Sequence, residues 1–271
     1  MPELPEVETI KRGIAPHMTG KTFVDVIIRF PRLRWPIPPT LPDILIGQHV
    51  IAVWRRAKYL IIEVPHGAVL LHLGMSGHLR ILSDAPSAAK HDHVDFVLND
   101  GSLLRLHDPR RFGAVLWQPG PALLHPLLSQ LGPEPLDDTF DATYLHSQLS
   151  NKNTPIKLAL MDNRIVVGVG NIYANEALFH AGILPQRPAK TLNIAEIRCL
   201  VTEIKNTLQA AIHAGGSTLK DFVDSHGKAG YFQQTYYVYQ RHEAACHRCG
   251  ELIQQQVLGG RGTFFCRTCQ R

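Results

Sequence analysis

The chain opens Met1-Pro2-Glu3-Leu4-Pro5-Glu6-Val7-Glu8-Thr9-Ile10-Lys11, and this run sets both its first structural element and its chemistry. Leu4, Val7, Ile10 or Lys11, and Ile14 recur at helical spacing, so residues 3–15 are expected to form an amphipathic helix with one face for a core. Prolines at 2 and 5 suit a first helical turn, whose N–H groups lack partners anyway. Glu3 and Glu6 stand at i,i+3, share a face and lie at the positive end of the helix dipole. Removal of Met1 would turn the Pro2 nitrogen into a free secondary amine, a nucleophile that can pass through an iminium intermediate. An ordinary terminal amine titrates near ~7.7–8.0, so on the order of a tenth of it is neutral at pH 7. One neighbouring carboxylate could then shuttle protons while the other holds the amine. Taken alone, the run also reads as a plain acidic helix start.

Working outward, the region to about residue 118 is rich in short strand candidates: Phe23–Phe30, His49–Trp54, Tyr59–Val64, Ala68–Leu73, His93–Leu98, Leu103–Leu106 and Ala114–Trp117. Their regular spacing with turn signals predicts a β-sandwich or barrel. Gly132-Pro133-Glu134-Pro135 reads as a linker, and beyond it the periodicity turns helical over Ala142–Leu149, Pro155–Met161, Asn171–Ala181 and Asn193–Ala214. The fold class is α+β. Three domains are expected: 1–133 (helix plus β-sandwich), 134–230 (helical) and 231–271 (a zinc finger).

The last domain is read from cysteines. Cys246-x2-Cys249 and Cys266-x2-Cys269 are separated by sixteen residues, the spacing of a two-knuckle zinc site. Four thiolates suit one closed, tetrahedral, structural Zn²⁺; disulfides are the alternative, which a reducing compartment disfavours. Between the knuckles, Gly259-Gly260-Arg261-Gly262 marks a hairpin tip that pushes Arg261 outward. Cys199 stands apart in a helical stretch and is expected in the core.

Three loops stand out. Met161 to Asn171 is a glycine-containing double turn opening a helix at Asn171, where exposed N–H groups can hold a phosphate, although Asn171 also suits a plain N-cap. Gly74-Met75-Ser76-Gly77 sets a flexible apolar side chain between glycines. Asp108-Pro109-Arg110-Arg111-Phe112-Gly113 sets an aromatic ring beside two arginines. Apolar wedges with arginine partners are what a protein needs to enter a base stack; the alternative is that Met75 and Phe112 pack on the local sheet.

Composition agrees with a nucleic-acid partner without requiring one. Of 271 residues 45% are hydrophobic, and 28 basic against 23 acidic residues leave a net charge of +5. The excess is clustered at Arg29, Arg32, Arg34, Arg55, Arg56 and Lys58, and again after residue 240. No apolar run reaches membrane-spanning length and the acidic start excludes a signal peptide, so a cytoplasmic protein is expected. Nothing signals an oligomer, and a monomer is expected.

Together, MPELPEVE (1–8), RRAKYL (55–60), HLGMSG (72–77), KHDHVD (90–95), DPRRFG (108–113), MDN (161–163), GVGNIYANE (168–176) and the paired cysteines resemble bacterial formamidopyrimidine-DNA glycosylases over essentially the whole chain. The resemblance implies an N-terminal helix on a β-sandwich, a helix–two-turn–helix domain and a β-hairpin zinc finger. It implies excision of oxidised purines from double-stranded DNA, followed by β- and δ-elimination, with no cofactor besides one Zn²⁺. By the same resemblance Pro2 is the nucleophile at C1′, Glu3 the proton donor and acceptor, Glu6 a support for the amine, and Lys58 a phosphate contact active in β-elimination. Met75, Arg110 and Phe112 fill the gap left by the everted base, with Arg110 facing the orphaned cytosine. Asn171 and Arg261 hold phosphates, Arg261 also acting in δ-elimination, and His91 contacts DNA. Gly216 to Gly227, with Lys220, resembles the cover over the everted base.

At one place the chain departs from the pattern. Relatives often carry a basic residue just before Thr154-Pro155-Ile156-Lys157, where this chain has Asn151-Lys152-Asn153. A phosphate contact there falls to Asn153, Lys152 or Lys157. The nearest rival family, endonuclease VIII, usually has glycine where Leu4 stands and lacks the PELPEVE run. A non-catalytic zinc-finger protein that recognises distorted DNA is the rival from another class.

Overall fold

The computed structural model describes residues 2–84, 86–215 and 236–271. They divide into two compact units, one reaching to Ser129 and one formed by Gln130–Ala214 with the C-terminal segment.

In the first unit, helix α1 (Leu4–Met18) precedes β1 (Phe23–Ile28), α2 (Leu41–Leu45), β2 (Ala52–Arg56), β3 (Tyr59–Val64), β4 (Gly67–His72), β5 (His78–Leu82), β6 (Asp92–Leu98), β7 (Leu103–His107), β8 (Ala114–Pro119) and α3 (Pro126–Ser129). Two four-stranded sheets result, ordered β1-β6-β7-β5 and β2-β3-β4-β8, with every pair antiparallel. One core joins both sheets to α1: Phe96 and Leu104 from one, Leu60 and Val69 from the other, and Val7, Ile10, Ile14 and Met18 from the helix. Each such side chain contributes about 1.5–3 kcal/mol on burial.

Helix α1 runs three residues past its expected end and carries Pro16 inside it. The proline removes one helical N–H, but the complete burial of Met18 keeps the last turn in place. At the other end Glu3 is the N-cap, in extended conformation, and forms a capping box with Glu6. Strand β5, not anticipated from the sequence, lies at a sheet edge, where Leu79 points inward between half-buried His78 and Arg80.

The second unit holds α4 (Ala142–Leu149), α5 (Ile156–Leu160), α6 (Asn171–His180), α7 (Ile194–His213), β9 (Gln254–Leu258) and β10 (Arg261–Phe265). Polar caps set the helix starts. The Asp141 carboxylate accepts from Tyr144 N–H at 2.7 Å, and Asn193 forms a capping box with Glu196. Ile197, Leu200, Ile204 and Leu208 turn one face of α7 into the helical core. Cys199 does not join them: it is exposed, because its place on α7 falls between two core-facing positions and points outward.

The finger is tied to the helices. The Glu176 carboxylate on α6 accepts the N–H groups of Tyr237, Val238 and Tyr239 at 2.8, 2.9 and 2.8 Å. Asn175 accepts from Phe264 N–H on β10 at 2.8 Å. Buried Glu176 is thereby compensated by fixed donors, as a buried carboxylate must be.

Candidate active site and nucleic-acid interface

The start of α1 is a buried acidic corner. Pro2 is buried, and Glu3 and Glu6 are 3% and 1% exposed. Glu6 Oε2 accepts the Glu3 N–H at 2.8 Å. That N–H belongs to the peptide joining Pro2 to Glu3, so Glu6 fixes the plane from which the Pro2 ring projects. The two carboxylates differ in place: Glu6 lies inside the first turn, while Glu3 sits just before it.

Helix α1 also holds the neighbouring hairpin. Glu8 Oε2 pairs with Arg55 Nε at 3.2 Å, and Arg55 Nη1 donates to the Ala57 carbonyl at 2.9 Å. Ala57 and Lys58 form the tight turn between β2 and β3, with Ala57 in left-handed conformation at φ 54°. A buried alanine at positive φ is strained, and Arg55 is one of the groups that hold it. Lys11 and Arg12 join Arg55 around Glu8, and their attraction outweighs burial and keeps its carboxyl below the usual range. Next to this hairpin, His72 on β4 accepts the Gly74 N–H on Nδ1 at 3.0 Å. Burial, with the Lys58 and Arg34 charges, pushes its pKa from 6.5 down to about 4, against a partial opposing pull from Asp108. The ring is neutral at physiological pH.

The wedge candidates come together on the same unit. Met75 is 46% exposed and Phe112 is 44% exposed, so neither packs onto the sheet. The Arg110 guanidinium lies 4.9 Å from the centre of the Phe112 ring. Arg111 adopts φ 56°, which throws Phe112 outward, while its own guanidinium covers Phe30. His91 is half-buried beside these loops, its carbonyl accepting Asp108 N–H at 3.0 Å and its ring 5.8 Å from that of His107.

In the second unit the finger tip is a tight hairpin. Gly259 and Gly260 both adopt positive φ between paired Leu258 and Arg261, the turn that Gly-Gly favours. Arg261 is exposed. The carbonyl of the next residue, Gly262, accepts from Asn171 Nδ2 at 3.1 Å and from Lys157 Nζ at 3.0 Å. Asn171 is the first residue of α6, with Gly170 as the cap, so its side chain braces the finger instead of capping its own helix.

This geometry corrects one expectation. Lys157 does not contact phosphate: it is 0% exposed, and its ammonium also donates to Thr263 Oγ1 at 2.7 Å. It lies on the inward face of α5 and serves as a strut for the hairpin. Asn153 is exposed and Lys152 half-buried in the preceding loop. Lys220 and the cover from Gly216 to Gly227 lie outside the described residues.

The four cysteines meet. The sulfurs of Cys246, Cys249, Cys266 and Cys269 all lie within 4.8 Å of one another, with Cys249–Cys266 at 3.5 Å and Cys246–Cys269 at 3.9 Å. Tetrahedral Zn–S bonds of about 2.3 Å place sulfurs roughly 3.8 Å apart, so the cage fits one Zn²⁺. Arg248 N–H points at Cys246 Sγ at 3.4 Å, a donor that stabilises a thiolate. Burial and the crowding of the other sulfurs push the Cys269 thiol up to about 12, a state that a divalent cation would reverse.

Sequence reading missed the residues that hold these groups in place: Glu8 and Arg55, Ser76 and Asp108, and Glu176. An aspartate just before Pro109, at the mouth of a loop, is the one local sign among them.

Known proteins share this architecture. Residues 1–115 match the model of the formamidopyrimidine-DNA glycosylase N-terminal domain, 131–223 that of the formamidopyrimidine-DNA glycosylase H2TH domain, and 245–271 a zinc finger found in FPG and IleRS. The formamidopyrimidine-DNA glycosylase of Laribacter hongkongensis is 57% identical over 272 residues, covering 100% of both chains. That of Neisseria meningitidis is 54% identical over 275 residues, again covering 100% of both. The structure of Lactococcus lactis Fpg in complex with DNA containing an abasic site superposes with a TM-score of 0.90 at 31% identity, covering 99% of each chain. The MutM (Fpg) protein of Thermus thermophilus superposes with a TM-score of 0.87 at 38% identity, covering 99% of this chain and 98% of that one. The helix-led β-sandwich, the double-turn helical unit and the four-thiolate finger define the class, a zinc-finger DNA glycosylase. The chain belongs to the formamidopyrimidine-DNA glycosylase family.

Proposed function

We propose that this protein excises oxidised purines from duplex DNA and then cuts the backbone as a lyase, with Pro2 as its nucleophile. The single observation that carries the assignment of roles is the corner at the start of α1, where the Pro2–Glu3 peptide is held by Glu6 at 2.8 Å.

After Met1 is removed, the neutral Pro2 nitrogen attacks C1′ of the damaged nucleoside and the glycosidic bond breaks; the electron pair leaves on the base, which takes up the proton shed by the new C1′–N ammonium. Glu3 gives a proton to the sugar ring oxygen as the C1′–O bond opens, which leaves an iminium ion on Pro2. The conjugate base takes a proton from C2′, and the 3′-phosphate leaves. Loss of the second phosphate follows the same logic. Lys58, Arg261 and Asn171 are proposed to neutralise or hydrogen-bond the phosphates, while Met75, Arg110, Phe112 and His91 hold the opened stack and the orphaned base. Asn153 is the proposed donor where relatives carry a basic residue, and Lys220 the proposed contact from the cover. Zn²⁺ keeps the finger folded and supplies no reactive position. We assign the Schiff-base and β-elimination chemistry to 1–133, the grip on DNA to 134–230 and 231–271, with Arg261 of the last also serving δ-elimination, and the setting to the cytoplasm and nucleoid, which the bacterial sources of the relatives support.

Borohydride trapping tests the reading. Incubation with an 8-oxoguanine:C duplex and borohydride should yield a protein–DNA adduct through Pro2. Pro2→Gly should weaken the adduct sharply, and a chain that retains Met1 should not form it. Binding with no adduct from the trimmed, zinc-loaded protein would leave a distortion-binding protein in its place.

A further inference from the structure

Ser76 and Asp108 meet across two loops that lie 32 residues apart in sequence. Asp108 is 0% exposed, and each of its polar atoms is engaged. Its Oδ1 accepts from Ser76 Oγ at 2.7 Å and its Oδ2 from Gly113 N–H at 2.8 Å. Its carbonyl is met by His93 Nε2 at 2.9 Å and by Arg111 N–H at 3.2 Å, and its own N–H donates to His91 O at 3.0 Å. Ser76 Oγ in turn accepts the Arg110 N–H at 3.2 Å. A relay therefore runs from the Arg110 amide through the Ser76 hydroxyl to a buried carboxylate, and the same carboxylate clamps the residue after Phe112. The two backbones also touch. At Gly74, with φ 60°, a Cβ would lie 2.3 Å from the Phe112 carbonyl carbon.

We propose that Asp108 and Ser76 are positioning residues that lock the Met75 loop and the Arg110–Phe112 loop into one rigid wedge. The proposal rests on the function given above. Met75 and Phe112 project into solvent, whereas Asp108 does not reach it. Its effect on DNA must pass through the side chains it holds. A base stack pushes on whatever enters it. Two independent loops would yield separately, and the guanidinium that faces the orphaned base would lose register with the wedges beside it. The shared carboxylate forbids separate movement, because parting the loops strips a buried charge of a hydrogen bond. Misplacement by about 1 Å suffices to slow a positioned reaction on the order of a hundredfold.

Ser76→Ala removes the relay while leaving Asp108 its bond to Gly113. Two substrates separate wedge from chemistry: an 8-oxoguanine:C duplex, and an abasic site in single-stranded DNA, which has no stack to open. For Ser76→Ala we expect kcat/KM on the duplex to fall on the order of tenfold or more, with single-strand cleavage unchanged within a factor of about two. Discrimination between 8-oxoguanine:C and 8-oxoguanine:A should shrink, and Ser76→Thr, which keeps the hydroxyl, should restore both. Asp108→Asn, which keeps an acceptor for Gly113, should fall between wild type and Ser76→Ala on the duplex alone. Equal loss on both substrates, no loss on the duplex, or failure of threonine to rescue would overturn the coupling. A wild-type protein that leaves the single-stranded abasic site uncut and forms no borohydride-trapped adduct with the 8-oxoguanine:C duplex would instead sink the Pro2 Schiff-base reading, and the coupling with it.

Discussion

The ammonium of Lys157 on α5 lies 2.7 Å from the Thr263 hydroxyl on β10, wholly out of water. One lysine thus joins the helical core to the arm that presents Arg261. Truncating a buried, hydrogen-bonded charge leaves its acceptors unmatched, so Lys157→Met should destabilise the second unit by about 1–3 kcal/mol. Measured as log Kd against log salt, its slope should equal that of wild type. Arg261→Ala should lower the slope by about one, because an exposed phosphate contact releases a counterion. A shallower slope for Lys157→Met would return that lysine to the DNA surface.

Glu6 has a structural task that can be separated from charge. Glu6→Gln keeps an acceptor for the Glu3 N–H and should preserve the thermal midpoint. Glu6→Ala loses the capping box at a cost of about 0.5–2 kcal/mol and should also reduce Schiff-base trapping. Calorimetry alongside trapping yields both numbers. Equal trapping by Glu6→Ala and wild type would show that the Pro2–Glu3 peptide needs no such brace.

His72 should make the first unit acid-sensitive. In the unfolded chain its ring takes a proton near pH 6.5, whereas in the folded chain it does so only near 4. The folded pKa is depressed, so its contribution is intact above 6.5 and is lost as pH falls toward 4. The shift corresponds to about 3 kcal/mol at the acid end. His72→Gln, neutral throughout, should flatten the urea-unfolding profile between those limits. A mutant profile as steep as that of wild type would assign the slope to other groups.

Metal removal should act on grip rather than on the Schiff-base chemistry. Each chain should hold one Zn²⁺ by elemental analysis, and Cys249→Ser should weaken its retention. Stripped protein should lose affinity for duplex DNA, while α1 and the sandwich, which share no ligand with the finger, keep their unfolding transition. Unchanged affinity after stripping would mean that Arg261 needs no metal-held support.

Local patterns were readable in the sequence and long-range partnerships were not. Helix α4 matches its expected bounds, with Asp141 as its cap, and α7 falls one residue inside its expected bounds at each end, where Asn193 and Ala214 are the caps. The paired knuckles foretold the sulfur cage. Strand β5 escaped because an edge strand buries one face, and His78 and Arg80 break up its apolar signal. Lys157 was misread because its partner stands 106 residues away, and nothing nearby marks it as buried. The Ser76–Asp108 bond was hidden for the same reason: each residue alone looks like an ordinary turn residue, and only folding brings them together. Cys199 shows the reverse error, an apolar-looking residue assigned inward without fixing the phase of its helix.

Glu176 gathers three consecutive amides at the entrance to the finger, and Asn175, Asn171 and Lys157 fasten its hairpin. A graft that moved residues 245–271 alone between relatives would leave those acceptors and donors facing strangers. A working chimera must carry α5 and α6 along with the cysteines, so the natural exchange unit in this lineage is larger than the metal-binding motif.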